Sequence, residues 1–516
     1  MQKSIVLIIR DGWGVNENPE FNAVKNAHTP KTDALLEKYP NIQLGASGSS
    51  VGLPDGYQGS SEVGHLNMGA GRVVVQEMTR IMQNIQDGSF FRSQNFQKAI
   101  SNVINNSSAL HLMGLVQDEG VHAHQDHLFA IMKYAKEHGV KTVYIHFFTD
   151  GRDTSPRSAL SYIGEVKKKI EEYKIGELAT IMGRYYAMDR ARNWELTSIA
   201  YDALTKAQGT RIDSVEDAIK DVYKTTTPNG EEMFDEYIPP MIVGDFTGIR
   251  DGDSVIHINY RQDRAIQLTK AFVEDDYPGE RWKKLDIVYC GLTRYYDEFR
   301  YNILDAMNDS GGMDNLLGQV LSEKGLRQVR IAETQKFSHA TSFFNGKRTK
   351  PYTGEEQIEI KGEYDPATFA DHPEMNARDV TRKTIEIINS NSFSLLVINL
   401  ANCDMVGHTG DYEAAKKAVE VVDECVGLLV EAVLSHNKIA LITADHGNAE
   451  EMIDYETRIT KTSHTKNPVE FIYVAEDYKN VKLVESGILS DIAPTILYLL
   501  GIEKPVAMTS KNLIIV

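Results

Sequence analysis

Cysteine is scarce in this 516-residue chain: Cys290, Cys403 and Cys425 are the only three, and no two form a CxxC pair. That excludes a disulfide framework and fits a reducing compartment. Long apolar runs are also missing, and nothing approaches the ~20 residues of a membrane span. The run over residues 5–9 is closed at once by Arg10 and Asp11. It is shorter than the roughly 7–15 apolar residues of a signal-peptide core and reads as a buried strand. Basic charge is in deficit, with Lys+Arg 55 against Asp+Glu 73 and a formal net charge of -18. A nucleic-acid or anionic-membrane partner is therefore not expected, since both need a basic footprint. A small anionic metabolite remains open, because it responds to the local field of its pocket. There is no low-complexity tract and no repeat of solenoid period. The expectation is a cytoplasmic protein folded over its whole length.

That length exceeds what one hydrophobic core supports, so two domains or more are expected. Short runs rich in Val, Ile and Leu alternate with amphipathic segments of helical length, the pattern of an α/β protein. Strands are expected over 4–9, 109–113, 142–148, 178–182, 254–258, 285–289, 395–400, 439–443 and 469–474, and helices over 158–173, 193–207, 377–389 and 412–434. Asp11 follows the first strand, Asp404 follows 395–400, and Asp445 and His446 follow 439–443. Ligand sites of open parallel sheets lie beyond the carboxyl ends of the strands. Residues from both ends of the chain should therefore meet on one sheet edge, which makes the middle an insertion with its own sheet. Arginines follow the strands of that insertion: Arg152, Arg184 and Arg261. The boundaries fall near 76 and 310, the second at the Ser310-Gly311-Gly312 break, where glycines suit a hinge. The expected division is a discontinuous metal-binding domain over 1–76 and 311–516, and an inserted substrate-binding domain over 77–310.

Asp404 and His408 lie four residues apart, so on a helical turn both face one side and could grip one ion. Asp445-His446-Gly447-Asn448 closes a strand where glycine allows a tight turn, and His464 precedes another strand. With Asp11, the set is three aspartates and three histidines. Any one of these read alone is a solvated helix face or a loop; together, with each aspartate closing an apolar strand, they read as metal ligands. Mixed oxygen and imidazole donors suit Mn²⁺ or Zn²⁺. Six ligands plus a hydroxyl are more than one four-coordinate ion requires, which points to two ions.

Gly59-Ser60-Ser61-Glu62-Val63-Gly64-His65 is hydroxyl-rich and bracketed by glycine. A serine there can meet a phosphate while backbone N–H groups hold the anion, and metal coordination is a recognised way to activate it. The same residues also spell a helix cap, and composition does not separate Ser60 from Ser61. Further on, Arg152, Arg184, Arg190, Arg261 and Arg264 lie in cationic clusters, and guanidinium forks match carboxylate and phosphate oxygens. Five converging arginines would favour a small polyanion carrying both groups. In the histidine-dense stretch over 120–127, His122 is read as a substrate contact and the others as structural.

These motifs occur in order: Asp-Gly-Trp-Gly after the first strand, Ser-Glu-Val-Gly-His-Leu-Asn, Thr-Asp-Gly-Arg-Asp and Gly-Arg-Tyr-Tyr-Ala-Met-Asp-Arg. The Arg261/Arg264 pair and Ala-Glu-Thr-Gln-Lys336 follow, then Asp404-Met-Val-Gly-His408, Asp445-His-Gly-Asn448 and His464-Thr-Lys-Asn-Pro468. From residue 11 to 468 the chain resembles the 2,3-bisphosphoglycerate-independent phosphoglycerate mutases of the alkaline phosphatase superfamily. The resemblance implies an alkaline-phosphatase-like, mostly parallel sheet flanked by helices, with a second α/β domain inserted. It implies that Asp404, His408 and His464 hold one ion, and that Asp11, Asp445, His446 and the Ser61 oxygen hold the other. His122, Arg152, Asp153, Arg184, Arg190, Arg261, Arg264 and Lys336 would line the substrate pocket. Two divalent ions, Mn²⁺ with Zn²⁺ or Co²⁺ as alternatives, would serve a monomer that needs no 2,3-bisphosphoglycerate. The chain departs from the usual pattern at Ser60, Ser155, Gln335 and Cys403, and none of these removes a ligand or catalytic group.

The implied reaction interconverts 3-phosphoglycerate and 2-phosphoglycerate through a phosphoserine at Ser61. Lys336 would stabilise charge on the transferring group and Asp153 would shuttle a proton between the glycerate hydroxyls. Domain closure about 76 and 310 would exclude water. Two rivals have different signatures. A phosphopentomutase, phosphatase or sulfatase would lack the arginine-rich glycerate pocket or use a different nucleophile context. A catalytically dead scaffold would have lost a ligand or the nucleophile.

Overall fold

The computed structural model describes residues 4–228, 230–305, 313–390 and 393–515. The expected Ser310-Gly311-Gly312 hinge lies outside the described residues. The chain divides into two compact units, Met1–Gln76 with Gly311–Val516, and Glu77–Ser310.

The first unit is built on an eight-stranded sheet. Its order is Glu355–Ile360, Gln328–Glu333, Leu395–Leu400, Ile5–Arg10, Ile439–Thr443, Val469–Val474, Asn41–Gly45 and Gly487–Ile488. The first five strands run parallel, and Val469–Val474 runs antiparallel to both its neighbours. Ile5–Arg10, Leu395–Leu400 and Ile439–Thr443 are buried at every residue. Continuous apolar runs of this kind are what a sheet covered on both faces requires. Register is tight: Ile5 pairs with Leu395 on one side and Ile439 on the other, so the three strands end level. Asp11, Asp404 and Asp445 therefore emerge on one edge. Helices pack both faces. The longest, Tyr412–Ser435, starts at an Asp411 cap whose carboxylate accepts from Ala414 N–H at 2.9 Å.

The second unit carries a seven-stranded sheet in the order Thr210–Ile212, Met241–Val243, Glu177–Gly183, Val143–Thr149, Leu110–Leu115, Ser254–His257 and Val288–Gly291. All neighbours are parallel except Glu177–Gly183 with Met241–Val243. The expected strand over 285–289 is displaced, because pairing with Ser254–His257 begins only at Val288. Asp286 is tied to the turn at Asp251 and Gly252 instead, accepting from Gly252 N–H and donating its own N–H to Asp251 Oδ1 at 2.9 Å. Among the described residues no helix is long and apolar enough to cross a membrane.

Candidate metal centre and arginine cluster

Ser60 and Ser61 separate at the start of the helix Ser61–Ala70. Ser60 is its N-cap, with its hydroxyl accepting from Val63 N–H at 3.4 Å. Ser61 is the first helical residue, and its buried hydroxyl faces the carboxyl ends of the central strands. Its Oγ lies 3.2 Å from Asp11 Oδ1 and 2.9 Å from His446 Nε2, and accepts from Lys336 Nζ at 2.6 Å. Lys336 also donates to Asp404 Oδ2 at 2.6 Å and lies 2.7 Å from Asp11 Oδ1.

The cluster extends on both sides of His446. On one side, His408 Nε2 and His464 Nε2 each lie 3.2 Å from Asp404 Oδ1 and 3.1 Å from one another. On the other, His446 Nε2 is 3.5 Å from Asp11 Oδ1 and 3.6 Å from Asp445 Oδ2. Donor atoms of Asp404, His446 and His464, and of Asp11, Asp445 and His446, lie within 4.8 Å of one another in each group.

Each site imidazole is oriented through its other nitrogen. His408 Nδ1–H donates to Thr462 O at 2.6 Å, His464 to Gly59 O at 2.9 Å and His446 to Gly447 O at 3.2 Å. That assignment of tautomers turns all three Nε2 lone pairs toward the carboxylates. A cation between the His408 and His464 Nε2 atoms, 3.1 Å apart beside Asp404 Oδ1, would meet all three donors.

The charges of the carboxylates favour a cation as well. Burial, and then Asp445, push the pKa of Asp11 up to about 7, against the pull of Lys336. Burial is also the largest single influence on Asp404 and Asp445, but Lys336, His408, His446 and His464 together outweigh it at Asp404, and His446, His65 and Lys336 together at Asp445, so both are held well below the usual carboxylate range. At His408 burial opposes protonation, but Asp404 prevails and raises the pKa. His464 is lowered by burial and by His446. Three fully buried carboxylates and three imidazoles around one ammonium leave negative charge uncompensated, and divalent cations fit that donor set.

Three polar residues outside the expected set support the donors. His65 Nδ1–H donates to Ser61 O at 2.9 Å and lies 3.2 Å from Asp445 Oδ2. Asn399 Nδ2 lies 3.1 Å from His65 Nε2 and donates to Asp11 Oδ2 at 2.7 Å. Asn448 Nδ2 donates to Asp404 Oδ1 at 2.9 Å. His65 and Asn448 sit inside motifs already noted. Asn399 carries a different signal, an amide within an otherwise apolar strand. Cys403 is fully buried, and burial drives its thiol pKa well up, so it packs as an apolar side chain.

The other expected residues lie in the second unit. Arg184 is buried, and its Nη1 donates to Asp150 Oδ1 at 2.7 Å and Asp153 Oδ2 at 2.5 Å. Asp150 Oδ1 also accepts from the N–H groups of Arg152 and Asp153, both at 3.0 Å, and so shapes the loop that carries them. His122 lies 3.8 Å from both Asp153 Oδ2 and Asp263 Oδ1. Burial, then Arg184 and Arg261, push its pKa down to about 4, so it is neutral at pH 7. Asp263 gathers Arg190 at 2.7 Å and Arg261 at 3.2 Å. Arg264 is lowered by burial and then by Arg184, Arg190 and Arg152, so four guanidinium groups share one field. Arg152 is about half exposed and lies 3.4 Å from Glu236. In the same stretch as His122, His124 accepts from Asp126 N–H at the start of the helix Gln125–Glu137, and His127 is fully buried.

A candidate divalent-metal site at the carboxyl edge of a parallel sheet marks the class of a metalloenzyme, and a family profile described as the Metalloenzyme superfamily matches residues 3–504. The 2,3-bisphosphoglycerate-independent phosphoglycerate mutase of Acetivibrio thermocellus is 46% identical over 518 residues, covering 99% of this chain and 99% of its own. That of Clostridioides difficile is 45% identical over 518 residues, covering 100% and 99%. A solved structure of Leishmania mexicana phosphoglycerate mutase at low cobalt concentration is 28% identical, with a TM-score of 0.73 and coverage of 100% of this chain and 98% of that one. The chain belongs to the 2,3-bisphosphoglycerate-independent phosphoglycerate mutase family. It is thus an isomerase and uses divalent metal.

Proposed function

We propose that this chain interconverts 3-phosphoglycerate and 2-phosphoglycerate through a phosphoserine at Ser61, as a monomer and without 2,3-bisphosphoglycerate. The observation that carries the reading is the placement of the Ser61 hydroxyl within 2.6–3.2 Å of Lys336, His446 and Asp11, at the first turn of a buried helix. Asp404, His408 and His464 would hold one ion, and Asp11, Asp445, His446 and Ser61 the other, with Mn²⁺ as the preferred metal. When bound, the ions supply Lewis-acid charge that eases loss of the serine proton and offsets charge on the phosphoryl oxygens.

Ser61 Oγ, entering the cycle already deprotonated and leaving it so, forms a bond to phosphorus as the bond to the glycerate 3-oxygen breaks. Lys336, held as the ammonium by Asp11 and Asp404 despite burial, faces the charge that develops on the transferring group. Arg152, Arg184, Arg190, Arg261 and Arg264 hold the carboxylate of glycerate, and neutral His122 orients it. Asp153, whose Oδ2 is bonded to Arg184, takes the proton of the 2-hydroxyl and returns it at the 3-hydroxyl. The phosphoryl group then passes from Ser61 to the 2-oxygen, so no free phosphate is released.

The test is conversion of 3-phosphoglycerate followed by phosphorus NMR with no bisphosphoglycerate added, before and after EDTA and after Mn²⁺ is restored. Loss and recovery of 2-phosphoglycerate formation support the reading. Net release of phosphate would make the protein a hydrolase. A Ser61→Ala variant that still isomerises would remove the covalent step.

A further inference from the structure

Glu450 lies two residues beyond Asn448, outside the donor cluster, and is fully buried. Its Oε2 accepts from Gly14 N–H at 3.1 Å and from Asn448 N–H at 2.8 Å. Its Oε1 accepts from Asn467 Nδ2 at 2.9 Å and from the Thr465 hydroxyl. Gly14 follows Asp11 by three residues, Asn448 follows His446 by two, and Thr465 is next to His464. One carboxylate thus ties together the three segments that carry Asp11, Asp445 with His446, and His464.

The seat is built for it. A Cβ on Gly14 would lie 2.4 Å from Glu450 Cδ, and one on Gly447 would lie 2.3 Å from Oε1, so neither position admits a side chain while the carboxylate is there. Backbone bonds close the same triangle: Asn448 and Ala449 N–H both donate to Gly12 O at 3.1 Å, and Thr465 N–H to Gly447 O at 3.0 Å. A buried carboxylate with a purely structural role exists in the same unit for contrast. Asp423 accepts from Lys31 and Thr32 N–H at the head of another helix and bonds to no donor segment. All four partners of Glu450, by contrast, lie within four residues of a donor.

We infer that Glu450 is a positioning residue that holds three metal-donor segments at the spacing two ions need. The inference rests on the assignment of Asp11, Asp445, His446 and His464 as donors. A glutamine there keeps the shape but turns an NH₂ toward one of the two donor pairs, so one segment loses its acceptor.

The experiment titrates the full-length, metal-stripped protein with Co²⁺, reading the visible absorption of the bound ion, and separately melts the metal-free protein. Glu450→Gln is expected to weaken apparent Co²⁺ affinity by about 10–100-fold and to shift the absorption bands, the usual scale for loss of an outer-sphere partner. Asp423→Asn is expected to lower the melting temperature with Co²⁺ affinity and bands unchanged. If Glu450→Gln does not fold, the Thr465 pair decides: Thr465→Val should weaken Co²⁺ binding, and Thr465→Ser, which keeps the hydroxyl, should not. Wild-type affinity and bands in Glu450→Gln or in Thr465→Val, whatever the melting temperature, would overturn the inference. A wild-type protein that binds no Co²⁺ would instead overturn the donor assignment, and the role of Glu450 with it.

Discussion

Asp423 gives the cleanest stability prediction in the metal-carrying unit. The helix Pro30–Lys38 opens with proline, and its N-cap residue Thr29 makes no side-chain cap bond. Its first two N–H groups are satisfied from far along the chain: Lys31 N–H donates to Asp423 Oδ2 at 3.0 Å and Thr32 N–H to Oδ1 at 2.7 Å. Asp423 is 2% exposed, so water does not replace it when it is removed. Stranding one buried donor costs about 1–3 kcal/mol. Losing an anion from a helix N-terminus adds about 0.3–1 kcal/mol. Together these predict that Asp423→Ala destabilises the first unit by roughly 1–4 kcal/mol, with Asp423→Asn intermediate because it keeps one acceptor. Urea unfolding of the metal-free protein should show the midpoint fall with an unchanged slope. A loss under about 0.5 kcal/mol would mean that the helix finds another cap, which refutes the reasoning.

Other expectations concern pH, binding and chemistry. Burial drives the His257 pKa down to about 3, so the folded protein keeps it neutral while the unfolded chain protonates it below about 6.5. Its stability contribution is complete above that value and is lost as pH falls toward 3, by about 1.4 kcal/mol per pH unit. His257→Gln should lower the acid slope of stability by about one proton, and an unchanged slope between pH 6.5 and 5 would refute this. Arg184→Lys loses the planar guanidinium, whose Nη1 bonds Asp150 and Asp153 at once and whose other nitrogens are left to a bound carboxylate. It is expected to raise KM for 3-phosphoglycerate at least about 10-fold, with steady-state kinetics as the check. Ser61→Ala should reduce mutase turnover by at least about 10³-fold while its Co²⁺-loaded protein still melts above the metal-free form, since six donors remain.

The central strands were readable because nothing competes with them. The runs over 395–400, 439–443 and 469–474 are mostly apolar and match the observed strands end for end. Gln328–Glu333 escaped because it carries Gln, Arg and Glu, yet every residue in it is buried. Arg330 is accommodated by Gln328 and by the ring of Phe344, a tertiary solution that no local pattern announces. The site follows the same logic. Aspartates that close apolar strands are visible in a sequence because strand and ligand are adjacent. Asn399 and Glu450 are not visible in that way, because their partners lie up to 436 positions away.

The central place of Ile5–Arg10 in its sheet has a consequence for how the molecule is made. Both of its neighbours, Leu395–Leu400 and Ile439–Thr443, are translated hundreds of residues later. At about 5–20 residues per second, the first strand waits on the order of 20–80 s for a partner. Meanwhile the contiguous second unit has all of its strands in hand. The ribosome therefore delivers the arginine cluster before the metal centre, and leaves an unpaired apolar β-segment exposed in between. Holdase chaperones would be expected to bind there, and a chain released before residue 395 would carry this sticky segment with neither of its neighbouring strands to receive it.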